Sequence, residues 1–106
     1  NARRRLITGF EGVEVDLVAF LGQRDKSMQS CFVRMKPGSE AVDPVFTHER
    51  EDMIYVTEGT VIIHSDGREY VLSKGDVGYF NFQSPERFTN PGPGDATFFW
   101  VVSPSR

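Results

Sequence analysis

Two histidines and a few carboxylates hold most of the chemistry available to this sequence. Around His48 the chain reads Phe46-Thr47-His48-Glu49-Arg50-Glu51-Asp52. In an extended strand, positions 46, 48 and 52 share one parity, so their side chains project to the same side. An imidazole among carboxylates can hold a divalent ion, relay a proton or orient a polar ligand. Glu86, in Pro85-Glu86-Arg87, is a second acidic position of interest, whereas Glu51 and Arg87 read as solvated charges. His64 ends the apolar run Val61-Ile62-Ile63 beside Ser65-Asp66-Gly67 and reads as an exposed strand-end residue without a role. Cys31 is the single cysteine, which excludes an internal disulfide. Set between Ser30 and Phe32 in a β-like run, it reads as a buried thiol.

The elements that must position these residues are short strands. A chain of 106 residues has room for one domain with one core. Apolar stretches alternate with Gly, Pro and Asp turns, and no window shows a 3.6-residue period. Strands are expected over 13–21, 27–35, 52–57, 60–64, 69–72, 77–82, 87–89 and 97–102. Asp66-Gly67, between two apolar runs, predicts a two-residue hairpin turn. Many short strands at close spacing imply a sandwich or a closed barrel. Val56 and Ile54 continue the inward parity of Asp52, and Tyr55 should look outward. Phe98-Phe99-Trp100-Val101-Val102 is apolar at both parities, which suits a central strand covered on both faces or a self-association surface. A homodimer is therefore expected.

Composition closes off other classes. A formal charge of −3 argues against a nucleic-acid grip by this domain alone. The cluster Arg3-Arg4-Arg5 reads as a solvated terminal linker. No apolar run has the length of a membrane span or a signal core, and a soluble, cytoplasmic protein is expected. Asn1-Ala2 ahead of Arg3, with no Met, reads as a tag remnant, leaving residues 3–106 as a domain excised from a longer protein.

Two stretches resemble the paired motifs of the cupin superfamily. The first runs from Phe46 to Gly59, where the family has His-x-His, a few residues, Glu, six residues and Gly. The second runs from Gly75-Asp76 to Pro85-Glu86-Arg87-Phe88-Thr89-Asn90, where the family has Gly-Asp, a late His and a closing Asn. The resemblance implies an all-β fold, the double-stranded β-helix or jelly-roll barrel, in a single domain. Gly59 and Gly75 would supply turns with positive φ, and Asp76 would cap its own turn.

The family's metal set, three His and one Glu, is eroded. Phe46 stands at the first His, His48 at the second, Asp52 at the Glu and Glu86 at the third His. Phe cannot ligate, and Asp is one methylene short where ligand distances tolerate only about 0.2 Å. His48, Asp52 and Glu86 could still form a facial triad, so the expectation is no cofactor or a weakly bound divalent metal. Otherwise the same residues, with Phe80 and Phe82, line a ligand pocket with aromatic walls and an acidic mouth.

Within the superfamily, one subgroup is most similar: sensor domains that follow a helix-turn-helix (XRE-type) DNA-binding domain. Tyr55-Val56-Thr57-Glu58-Gly59, Leu72-Ser73-Lys74-Gly75-Asp76, Phe88-Thr89-Asn90-Pro91-Gly92 and Trp100-Val101-Val102-Ser103-Pro104 carry that likeness. It implies a small-molecule effector bound in the barrel, which alters DNA binding by an N-terminal domain, with no catalytic residue. The alternatives are a small metal-dependent cupin enzyme (isomerase, lyase or dioxygenase) and a barrel that only dimerises a partner domain.

Overall fold

The computed structural model describes residues 3–6, 9–18, 29–42, 50–82 and 87–104. Among these residues there are ten strands and no helix. They are β1 (Arg3–Leu6), β2 (Val13–Val18), β3 (Gln29–Met35), β4 (Glu40–Val42), β5 (Arg50–Glu58), β6 (Thr60–Ser65), β7 (Arg68–Ser73), β8 (Val77–Phe82), β9 (Arg87–Thr89) and β10 (Ala96–Pro104). A six-stranded sheet runs in the order β1-β2-β3-β10-β5-β8, and a four-stranded sheet in the order β4-β9-β6-β7. Every pairing is antiparallel. The fold is the all-β, single-domain jelly roll expected from the motifs.

Alternation along each strand decides which face builds the core. On β5, Asp52, Ile54 and Val56 are fully buried while Met53 and Tyr55 are exposed. On β6, Val61 and Ile63 point in; on β3, Val33 and Met35 do. Phe98 from the larger sheet stacks on Phe88 from the smaller one, centroids 6.1 Å apart and rings 10° from parallel. Each such side chain gives about 1.5–3 kcal/mol on burial, so this facing pair is a principal tie between the sheets.

Turn chemistry fixes the registers. Asp66 and Gly67 both have positive φ, 55° and 76°, as a type I′ hairpin requires between β6 and β7. Gly59 also has positive φ (74°), and a Cβ there would run into the backbone of Asp95 and Ala96. At the next turn, Asp76 Oδ2 accepts the Ser73 backbone N–H at 2.9 Å, the expected cap. Asn90 is buried and clamps the β9–β10 loop, donating to the carbonyls of Met35 and Gly94 and accepting from Gly92 N.

Three expectations need correction. Arg3–Leu6 is a strand paired with Val15–Val18, not a free linker, because β2 otherwise leaves an open edge for it. Strand β4 was not foreseen: Glu40-Ala41-Val42 is too short for a period to register. The run 98–102 is central, between β3 and β5, but only one of its faces is covered, since Phe99 remains 38% exposed.

Candidate functional site

Strands β5, β8 and β10 converge on Asp52. In register, Asp52 faces Phe80 on β8 and Val102 on β10. The diagonal neighbour on β10 is Trp100, whose indole Nε1–H donates to Asp52 Oδ2 at 2.5 Å. A buried carboxyl group is costly unless hydrogen-bond partners meet it, and this indole N–H is one that does. Asp52 is fully buried, in keeping with its inward parity.

The surroundings are aromatic. Trp100 packs on Phe88, centroids 5.1 Å apart at 49°. Phe80 meets Tyr70 of the opposite sheet edge-on at 5.2 Å. Gly78 makes room for that ring, because a Cβ there would lie 2.5 Å from Phe80 Cε2 and 2.9 Å from Leu72 Cδ1. Outside Phe80 a cleft of about 460 Å³ opens between β7 and β8, lined by Tyr70, Leu72, Gly78, Tyr79 and Phe80 among others. Phe80 thus has one side towards the barrel core and one towards this opening.

Of the six sequence-derived site residues, the structure brings together Asp52 and Phe80. Phe82 lies on the same strand and parity as Phe80, opposite Arg50, with only its backbone described. Phe46, His48 and Glu86 lie outside the described residues. Trp100 was missed. Its parity with Phe98 places it inward, and an inward Trp needs an acceptor for its N–H, which was the available signal.

Of the candidate metal ligands, only Asp52 lies among the described residues. Among the described residues no three His, Cys, Asp or Glu side chains gather. Asp52 is turned to an indole donor, and position 46 is a phenylalanine without a lone pair.

His64 is not the exposed residue expected. Only 18% of its side chain is exposed, on the outer face of the four-stranded sheet. Its Nε2 lies 3.1 Å from Thr89 Oγ1, and its Nδ1 lies 3.3 Å from Arg87 Nη2 and 3.5 Å from Glu69 Oε2. Arg87 also pairs with Glu40 at 2.9 Å. This row ties β4, β9, β6 and β7 together, remote from Asp52.

The cupin domain family matches residues 31–102. A comparison with curated protein sequences finds no match. Solved structures are similar in fold. The cupin domain of an XRE-family transcriptional regulator from Enterobacter cloacae has a TM-score of 0.79 at 14% identity, covering 91% of this chain and all of that one. An HTH_3-family transcriptional regulator from Vibrio cholerae has a TM-score of 0.80 at 16% identity; the match covers 96% of this chain and 56% of that one. A predicted oxalate decarboxylase from Thermotoga maritima has a TM-score of 0.73 at 21% identity, covering 97% of this chain and 92% of that one. At these identities the likeness is one of fold.

Proposed function

The chain belongs to the cupin domain family, and from that membership we propose that it is the small-molecule-sensing domain of a transcriptional regulator, with its effector bound inside the barrel. One observation carries the reading: the carboxylate at the family's metal-ligand position is engaged by the indole of Trp100 in an aromatic wall. That wall suits recognition of an organic ligand better than coordination chemistry. Two regulators among the fold neighbours support the same direction, one an isolated cupin domain and one a longer chain.

In this reading the domain works in the cytoplasm as a homodimer, and a DNA-binding domain precedes it in the full protein. Effector and DNA-binding states are coupled only by the effector's differential affinity for them. Asp52, with His48 and Glu86, would supply the polar contacts; Phe46, Phe80 and Phe82 would supply the apolar ones. An acidic site favours ligands bearing an amine or several hydroxyls with an apolar part.

The test is a thermal-shift screen, since a ligand selective for the folded state raises the melting temperature by mass action. Amines and polyhydroxylated compounds should stabilise the chain more than simple carboxylic acids, and Asp52→Asn should shrink the shift. Carboxylic acids as the best stabilisers, or an undiminished shift in Asp52→Asn, would reject the acidic-pocket account.

A further inference from the structure

The two sheets leave a seam where β7 and β8, an edge strand of each, line a common cleft. A glycine interrupts β8 at this seam without a conformational reason. Gly78 lacks the positive φ of Gly59, Gly67 and Gly75, so any residue could adopt its backbone. Glycine within a strand weakens it and often marks the close approach of another group. Here that group is the ring of Phe80, whose Cε2 would lie 2.5 Å from an added Cβ. The missing side chain lets the ring occupy the seam, where it meets Tyr70 at 5.2 Å and 71°.

We propose that this seam is a ligand site separate from the barrel interior, and that it takes a small organic cation with a methylated ammonium head. The inference goes beyond the effector reading. Among the described residues, the seam shares only Phe80 with the residues named for the effector.

Shape is the first argument. The cleft of about 460 Å³ falls within the range of small-molecule sites, about 300–1,000 Å³. Two rings 71° apart make a corner, and Tyr79 adds a third aromatic residue to the lining. Tyr70 is 38% exposed and Tyr79 66%, so both are within reach of a ligand from solvent.

Charge is the second. Asp66 is the one charged residue among the described lining residues, and none of them is Lys, Arg or His. The nearby Arg68 and Arg87 line a different groove, with His64, across the β6–β7 hairpin. Aromatic faces carry the negative end of the ring quadrupole. A cation therefore gains from the rings and from the carboxylate together, whereas an anion gains from neither.

The nature of the head follows from desolvation. A primary ammonium has three N–H donors that must find acceptors when they leave water. A quaternary head spreads its charge over methyl groups and has no N–H to satisfy. It can therefore enter an aromatic corner with one carboxylate beside it, as aromatic cages for such cations do.

Titration of the isotope-labelled chain with choline, followed by the amide resonances of Tyr70, Gly78 and Phe80, tests the assignment. The comparison ligand is dimethylbutanol, the uncharged isostere in which carbon replaces nitrogen. Choline should bind at least about fivefold more tightly. Asp66→Asn keeps the turn, because Asn tolerates the positive φ of 55° found there. That variant and Tyr70→Leu should each weaken choline binding about two- to fivefold. Glu69→Gln removes the same charge from a side chain that is 65% exposed and does not line the cleft, and should change nothing. Asp52→Asn should also leave these shifts in place, which separates the seam from the barrel and leaves the effector reading to its own test. Equal binding of the isostere, or no binding of choline in the millimolar range, overturns the proposal. So does a loss in Glu69→Gln that matches Asp66→Asn, or shifts that vanish in Asp52→Asn and survive Asp66→Asn.

Discussion

Trp100 and Asp52 form a single hydrogen-bonded pair across β10 and β5, indole N–H to carboxylate, at 2.5 Å. The carboxylate is fully buried, and the indole is packed on Phe88. The two strands share eight register pairs, so the pair reports on the centre of the larger sheet. Trp100→Phe keeps most of the ring's packing and removes the donor. The expected loss is about 1–3 kcal/mol, the cost of taking the donor from a buried acceptor. Asp52→Asn should cost less, because the amide oxygen still accepts. Urea unfolding monitored by circular dichroism measures both, and Trp100, the only tryptophan, reports on Asp52→Asn by its emission maximum. Equal stability of Trp100→Phe and the parent would show that the pair contributes packing alone.

The same pair bears on metal binding. With Asp52 committed to an indole and Phe46 at a ligand position, protein purified without chelators should carry less than one equivalent of transition metal. Elemental analysis measures this directly. One ion per chain, lost in His48→Ala, would restore the enzyme reading and displace the sensor.

Gly59 is the backbone position with least tolerance. Its φ of +74° alone makes a side chain cost about 1–3 kcal/mol. A Cβ would also press on Ala96 Cα at 2.9 Å and on the neighbouring carbonyl of Asp95, where no flexible side chain can yield. Gly59→Ala should therefore lower the denaturation midpoint well beyond Gly38→Ala, where φ is also positive (+80°) but a Cβ meets nothing within 4 Å. Similar losses in the two would remove the steric part of the argument.

Much of this fold could be read from punctuation. Asp66-Gly67, Lys74-Gly75-Asp76 and Glu58-Gly59 fix the turns, and β8 and β9, which follow them, fall where the sequence places them. The inward parity of Asp52, Ile54 and Val56 was equally legible, because alternation on a half-buried strand needs no tertiary information. What could not be read depends on partners distant in the chain. Strands β1 and β4 are short, with four and three residues, and pairing with β2 and β9 makes them strands. The role of His64 is set by Arg87 and Thr89, 23 and 25 residues away. Trp100 and Asp52 are 48 residues apart, and the motif around Asp52 contains nothing that names its donor. At the site itself, Asp52 and Phe80 are register partners, while Phe46, His48 and Glu86 lie outside the described residues.

Cys31 yields the remaining prediction, from its place on the inner row of β3 opposite Trp100. It packs against the apolar core, and burial raises its pKa above the usual thiol value. Only the thiolate attacks alkylating reagents, so less of it is present at pH 7–8 than in a free cysteine. Alkylation of the folded chain should be slow there, and its pH profile should lie to the alkaline side of a model thiol. Denaturation should return the profile to that of the model thiol. The linkage has the matching sign. A pKa higher in the folded than in the unfolded chain means that the folded state holds the proton more tightly. The associated stability is complete below the unfolded thiol's pKa and is lost as pH rises through the folded one. Alkylation that follows the model thiol at every pH, in folded and denatured protein alike, would show that the Cys31 thiol is freely solvated.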